Sequence, residues 1–465
     1  GGDRADRAGA DRGTIVPYAR FIEAKSQLGG EFGFTPIFQH PDAYDFQSHL
    51  VDWAVRQGRA AIFADCGLGK TLMQLTWAQN VVQQKAKPIL LLAPLSVSIQ
   101  TVEEGEKFGF DVRRCLDGRV PNADIVTTNY ERLHHFDPSD FSGVVCDESS
   151  IIKNFDGARK GEITEFMKKV EFRLLCTATP SPNDYIELGT SSEALGYLGH
   201  MDMLGQFFKN DQDSLHPAFI GSAWRFKMHA ERDFWRWVCS WARAIRKPSD
   251  IGFADRGFVL PDLIEREHVI ESPALEGSLF AMPAADIHEE RRERRDTLNQ
   301  RCERAAELLA EADFGVGWCH LNAEADLLTK LVPDAAQISG ADSDERKEEI
   351  FEAFRHGELR HLVTKPKIAA FGMNWQHCNR MTYFADHSFE QYYQAVRRSW
   401  RFGQKRPVTI DTITTQSLAG VTRNLRRKAD ACDAMFAQMV RQMNDALKIR
   451  RFREHTNEQD LPAWL

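Results

Sequence analysis

Short apolar runs recur along the first part of the chain, at residues 60–64, 88–93, 124–127, 143–146 and 173–177. Each is rich in Leu or β-branched residues and lacks polar alternation, the pattern of strands buried on both faces of a sheet. Longer stretches of helical spacing lie between them, so the region predicts a parallel sheet covered by helices. The same rhythm returns at 314–320, 336–339, 361–364, 380–384 and 408–413, which predicts a second α/β unit. Residues 186–300 lose the alternation, becoming aromatic and basic and then strongly charged at 289–296. Within that stretch Phe234, Val238, Trp241 and Ile245 fall at helical spacing and predict packing against the first unit. Its basic positions Arg232, Arg236, Arg243 and Arg246 could still track a phosphate strand. Residues 421–452 read as one helix with Arg and Lys on its faces, and no repeat of fixed period appears beyond the two-lobed recurrence. The expected division is a variable N-terminal segment at 1–40, a first lobe at 41–185, a helical insertion and connector at 186–300, a second lobe at 301–420 and a helical tail at 421–465.

A length of 465 residues agrees with two cores of about 200 residues each. With 43% hydrophobic and 27% charged residues, the composition favours neither disorder nor a membrane class. No apolar run reaches 18 residues, and residues 1–13 lack the apolar centre of a secretory signal. The 9 cysteines contain no C-x-x-C pair, which argues against a zinc ribbon or disulfide framework and makes the cytoplasm the expected location. A net charge of −8 excludes a protein that coats nucleic acid over its whole surface. Basic clusters at 291–295, 397–401 and 423–428 are still enough to line one groove.

The run from Ala60 to Thr71 sets an apolar strand directly before a glycine-rich turn and a helix. Gly67 and Gly69 have no Cβ, so the backbone N–H groups around Leu68 can close on phosphate oxygens. Lys70 can reach the β- and γ-phosphates, and the Thr71 hydroxyl can ligate Mg²⁺. Ala64 stands where the general phosphate-loop pattern has glycine. A second apolar strand ends in Asp147 and Glu148, about 75 residues on. Asp147 can hold the metal, and Glu148 can polarise the water that attacks the γ-phosphate.

With these residues the chain resembles the Swi/Snf branch of helicase superfamily 2, and the likeness runs from about residue 47 to residue 411. Ala64 fits the A-x-x-G-x-G-K-T form common in that superfamily. Gln47 resembles its adenine-reading glutamine, and Pro94-Leu95-Ser96-Val97 its first DNA-contacting loop. Thr127-Thr128-Asn129-Tyr130-Glu131 resembles the T-T-Y-E segment, and Thr177-Ala178-Thr179-Pro180 the T-G/A-T-P element that couples nucleotide state to DNA. Residues 245–251, with Leu260 and Pro261, echo the connector between lobes. Gly372 to Gln376 resembles G-L-N-L, and Gln394 to Gln404 closely resembles Q-A-x-D-R-x-x-R-x-G-Q. On a helix Gln394, Arg398 and Arg401 fall at i, i+4 and i+7 and share one face, while Tyr393, Val396 and Trp400 line another.

The resemblance implies two tandem RecA-like parallel-sheet lobes with a helical insertion and a helical C-terminal tail. It implies ATP and Mg²⁺ as the nucleotide and metal, with Lys70, Asp147, Glu148, Arg398 and Arg401 carrying hydrolysis and the two arginines acting as fingers from the opposite lobe. Thr177, Thr179, Gly372 and Gln394 become coupling residues. Pro94, Ser96, Thr128, Lys365, Lys367 and Asn374 become candidate nucleic-acid contacts. The implied work is ATP-driven translocation along double-stranded DNA. The rival readings are a strand-separating helicase on DNA or RNA, and an ATP-bound loader for a nuclease or methylase. The whole segment also looks like helicases carried by phages and prophages. Two positions depart from the pattern. Ser150 stands where the family has histidine after its D-E pair, and Arg397 replaces an acidic residue before the first finger.

Overall fold

The computed structural model describes residues 32–154, 157–181, 185–210, 224–271, 287–369 and 374–456. Their strands in chain order are β1 (Arg59–Ala64), β2 (Ile89–Ala93), β3 (Val112–Arg114), β4 (Ile125–Asn129), β5 (Gly143–Cys146), β6 (Phe172–Cys176), β7 (Phe208–Asn210), β8 (Trp224–Phe226), β9 (Ala242–Ile245), β10 (Leu263–Ile270), β11 (Gly315–Trp318), β12 (Ala335–Gln337), β13 (His361–Thr364), β14 (Arg380–Phe384) and β15 (Val408–Thr415). Seven form the first sheet, in the order β3-β4-β2-β5-β6-β1-β9, and six form the second, in the order β10-β15-β14-β11-β13-β12. Every pairing within the two large sheets is parallel. Parallel pairing requires crossovers, and the helices that make them cover both faces. The two RecA-like lobes expected from the sequence are therefore present.

The sheets partition the chain differently from a separate insertion over 186–300. The helix Ala230–Trp241 buries Phe234, Trp235, Trp237, Val238 and Trp241 in the first lobe's core, and β9 then pairs with β1 at that sheet's edge. Beyond the connector, β10 pairs with β15 along eight residues and opens the second lobe. β10 is an edge strand, exposed from Ile264 to Glu267 and partly buried only at Leu263, His268 and Ile270, and its Glu265, Arg266 and Glu267 mask the apolar signal. The second lobe also holds a buried pair, Arg301 to Glu324 at 2.6 Å.

The C-terminal helix Ala419–Thr456 leaves the second lobe and returns to the first. Cys432, Met435, Phe436, Met439 and Met443 join the first lobe's core, and Arg246 pairs with Asp433 at 2.6 Å. At its start the helix is tied to the second lobe, with Arg426 on Glu267 at 2.8 Å and Lys428 donating to the His387 carbonyl at 2.9 Å. Among the described residues no helix is long and apolar enough to cross a membrane.

Candidate nucleotide pocket and polymer cleft

The phosphate loop follows the buried strand β1. Gly67 and Gly69 adopt φ of 87° and 76°, and a Cβ on Gly69 would lie 2.2 Å from the Gln47 amide nitrogen. Side chains are excluded here by both backbone conformation and space. Lys70 opens the helix Lys70–Lys85, and its ammonium donates to the Ala64 carbonyl at 3.1 Å. Burial works against that charge, but Cys66, Glu148, Asp147 and Asp65 outweigh it and raise the lysine's pKa. The Gln47 amide donates to the Leu68 carbonyl at 2.8 Å and accepts from the Tyr44 N–H at 2.9 Å, which ties the purine-reading candidate to the loop itself.

Asp147 and Glu148 end β5 on the opposite wall. Asp147 accepts from the Gln74 amide at 2.6 Å, and its carboxyl is pushed up to about 6 by burial and by the neighbouring Glu148, against the pull of Lys70. Glu148 has φ of 47°, a left-handed conformation rare for a residue with a side chain, and strain of this kind gathers at functional sites. It turns the second carboxylate away from the first. The Thr177 hydroxyl lies 3.5 Å from Glu148 and the Gln394 amide 3.4 Å, so the two coupling candidates from different lobes meet on one carboxylate. Ser150, the departure from the family's histidine, accepts from the Thr179 hydroxyl at 3.4 Å and keeps a link between these segments.

Arg398 and Arg401 reach the same pocket by a route the spacing did not predict. The helix Phe389–Val396 ends at Arg397, so the stripe at i, i+4 and i+7 is broken. A tight turn carries both arginines onward, with Trp400 N–H on the Val396 carbonyl at 3.0 Å and Gln404 N–H on the Arg401 carbonyl at 3.0 Å. Arg398 donates twice to Gln394 at 3.0 Å. Burial and Arg398 together push the Arg401 guanidinium down to about 10. Cys66, Gly67, Gly69, Lys70, Thr71, Asp147, Glu148, Arg398 and Arg401 line one pocket of about 80 Å³. Hard oxygens from Thr71 and Asp147 beside a glycine cradle and three cations suit a divalent metal and a polyphosphate.

A cleft of about 880 Å³ lies between the lobes. Of the six nucleic-acid candidates, Pro94, Lys367 and Asn374 line it. Thr128 does not: it is fully buried in the interior strand β4, and the lining begins one residue later at Asn129. The correction follows from the sheet, since a strand covered on both faces offers ligand only its carboxyl end. Lys365 is held by Asn322 at 2.6 Å and stands outside the lining. Ser96 lies in the helix Leu95–Lys107, without a described side chain, and Gly372 lies outside the described residues. Sequence reading missed Arg132, Lys347 and Arg355 on the cleft wall. The last two sit in the charged helix Asp344–Arg355, whose acidic residues hid the signal. Gln100 and Glu104, on one helix, line both cavities.

Residues 316–403 match the helicase conserved C-terminal domain. The mouse "DNA annealing helicase and endonuclease ZRANB3" is 25% identical over 206 residues, 40% of this chain and 19% of that protein. The Xenopus tropicalis "SWI/SNF-related matrix-associated actin-dependent regulator of chromatin subfamily A-like protein 1" is 27% identical over 161 residues, 32% of this chain and 17% of that protein. The chain thus matches less than a fifth of the length of these relatives. A solved structure of S. cerevisiae Dbp5 bound to Gle1 and IP6 shares the fold, with a TM-score of 0.51 at 10% identity, over 82% of this chain and 85% of that one. With the motifs above, these matches show a chain that is similar to SNF2-type members of helicase superfamily 2.

Proposed function

We propose that the protein is an ATP-driven motor that hydrolyses ATP with Mg²⁺ and moves along double-stranded DNA. The observation that carries this reading is the shared wall: Gln100 and Glu104, on the helix Leu95–Lys107, line both the phosphate pocket and the cleft. A shift of that helix on one side necessarily reshapes the other.

In this reading the backbone around Gly67 and Gly69 and the Lys70 ammonium hold the β- and γ-phosphates. Thr71 and Asp147 would hold Mg²⁺, which would supply charge neutralisation at the transferred phosphoryl group. Glu148 accepts a proton from the attacking water, and Gln394 and Thr177 orient its carboxylate. Arg398 and Arg401 meet the charge that develops on the γ-phosphate, a contribution of roughly 10³ to 10⁵ in GTPase examples. The reading of DNA as the polymer draws on the names of the curated relatives and on the basic positions Arg132, Lys347, Arg355 and Lys367 in the cleft.

ATPase activity measured with matched duplex DNA, single-stranded DNA and RNA across a salt series tests the proposal. Strongest stimulation by duplex, with little sequence preference, is expected, because phosphate contacts carry no base information. Equal or greater stimulation by single strands would replace it with a strand-separating helicase.

A further inference from the structure

The second-lobe segment 389–402 touches the phosphate loop both inside the pocket and outside it. Gln394, Arg398 and Arg401 face the carboxylates and the loop. Beside them, outside the pocket lining, the Arg397 guanidinium meets the Asp65 carboxylate of the first lobe at 2.5 Å. The Tyr393 hydroxyl donates to the other oxygen of that carboxylate. Both charged side chains are buried, with 8% and 6% of their surface exposed. The guanidinium carbon stands 5.2 Å from the Tyr393 ring and 4.3 Å from the Trp400 ring, and the Trp400 indole donates to the Pro261 carbonyl at 2.7 Å. Asp65 is held just as firmly. Its N–H donates to the Ile245 carbonyl at 2.9 Å, and its Oδ1 accepts from the Cys66 N–H at 2.6 Å.

The pocket beside this contact has about 80 Å³, far below the roughly 300 to 1,000 Å³ of a small-molecule site. Phe402 approaches the loop from the second lobe, its backbone nitrogen 2.7 Å from where a Cβ on Gly67 would stand. On the nucleotide reading, the space as it stands is too small for a whole nucleotide, and any parting of the lobes to enlarge it would break the Asp65–Arg397 pair.

We propose that Asp65 and Arg397 form an interlobe clasp, which makes Arg397 a positioning residue for hydrolysis. The clasp fixes the turn at 397–402 so that Arg398 and Arg401 stand over the phosphate loop, and its release gates nucleotide entry. This inference rests on reading the pocket as the nucleotide site. A buried ion pair holds strongly only while both partners are present, since either one alone is a desolvated charge. Opening is therefore steeply sensitive to losing one of them.

The test uses the full chain with donor and acceptor dyes on one exposed position of each lobe, Gln83→Cys and Glu303→Cys. Lobe separation is read without nucleotide, the entry rate with a fluorescent ATP analogue in stopped flow, and kcat in parallel. Arg397→Gln and Asp65→Asn should each widen the separation, speed entry about tenfold and lower kcat about tenfold or more, as expected for a broken buried pair. Arg397→Lys should fall between these variants and the parent, and thermal unfolding of each variant checks its fold. Separation unchanged in both single variants, or widened with no faster entry, overturns the clasp. A parent chain that neither binds nor hydrolyses ATP overturns the nucleotide reading instead, and the separation measured without nucleotide still decides whether the pair holds the lobes.

Discussion

The helix Leu95–Lys107 has a different kind of cavity on each side. The pocket beside the phosphate loop holds about 80 Å³, and its ionisable groups, brought from the end of β5, the start of the helix Lys70–Lys85, the helix Leu95–Lys107 and the turn at 397–402, are packed against one another. The cleft holds about 880 Å³, and its charges sit on helix surfaces, mixed in sign and partly open to water. Arg355, for example, pairs across the cleft with Glu103 at 3.1 Å while both remain exposed by more than a third. Exposed pairs of this sort contribute on the order of 0 to 1 kcal/mol. A phosphate strand can displace Glu103 from Arg355 at little cost, whereas nothing displaces a partner in the pocket cheaply. Chemistry is assigned to the stiff cavity and grip to the soft one.

Substitutions in the pocket should have the largest effects. Lys70→Ala should lower ATP hydrolysis by roughly 10² to 10³-fold or more, the scale of losing a preorganised charge. Its duplex affinity, measured by fluorescence anisotropy, should stay within a few-fold of the parent. Glu148→Gln should retain binding of an ATP analogue yet lose turnover by about 10² to 10⁴-fold, the span of general-base catalysis. Nucleotide affinity that collapsed with turnover would make Glu148 a structural residue and blur the contrast.

Asp147 sharpens the comparison through pH. Burial raises its carboxyl pKa to about 6, so the folded chain holds this proton more tightly than the unfolded chain does. The sign follows: with no metal present, stability should rise as pH falls from about 6 toward the ordinary carboxylate range, on the order of 1 kcal/mol per pH unit. Mg²⁺-dependent nucleotide binding should weaken over the same window, because the protonated group is a poor ligand. Asp147→Asn should remove this pH segment from thermal unfolding curves, and a segment that persists assigns it to another group.

The cleft should respond more gently. Lys367→Ala should flatten the dependence of log affinity on log salt by about one unit if this exposed lysine neutralises one phosphate. ATPase without DNA should remain. Thr128→Val should leave the salt dependence unchanged, since the side chain is buried in β4. A reduced slope in that variant would return Thr128 to the nucleic-acid surface.

The stiff cavity was also the more legible one. The central strands of both sheets appear within about two residues of their apolar runs, because a strand buried on both faces admits few polar residues. Of the four edge strands of the two large sheets, only β12 was visible, at 336–339. β3 is a three-residue Val-Arg-Arg, β10 is interrupted by charges, and β9 continues an aromatic helical spacing that ran past Trp241 to Ile245. Lys70, Thr71, Asp147 and Glu148 were readable because strand ends fix their geometry through local sequence. The arginines were assigned to the pocket on a helical stripe that stops at Val396, and a turn delivers them instead. Arg397 shows the limit of motif reading. Its partner Asp65 lies 332 positions away, and no local pattern states that a second lobe will fold onto the first.

The C-terminal helix has a mechanical consequence. The polypeptide passes between the lobes once through the connector before β10 and again when Met435, Phe436, Met439 and Met443 dock on the first lobe. Two bodies anchored to each other at two separate points keep one easy rotation, about the line joining the anchors. Opening then has a single axis, and under the proposed translocation the sense of advance along a polymer is set by where that axis lies relative to the cleft.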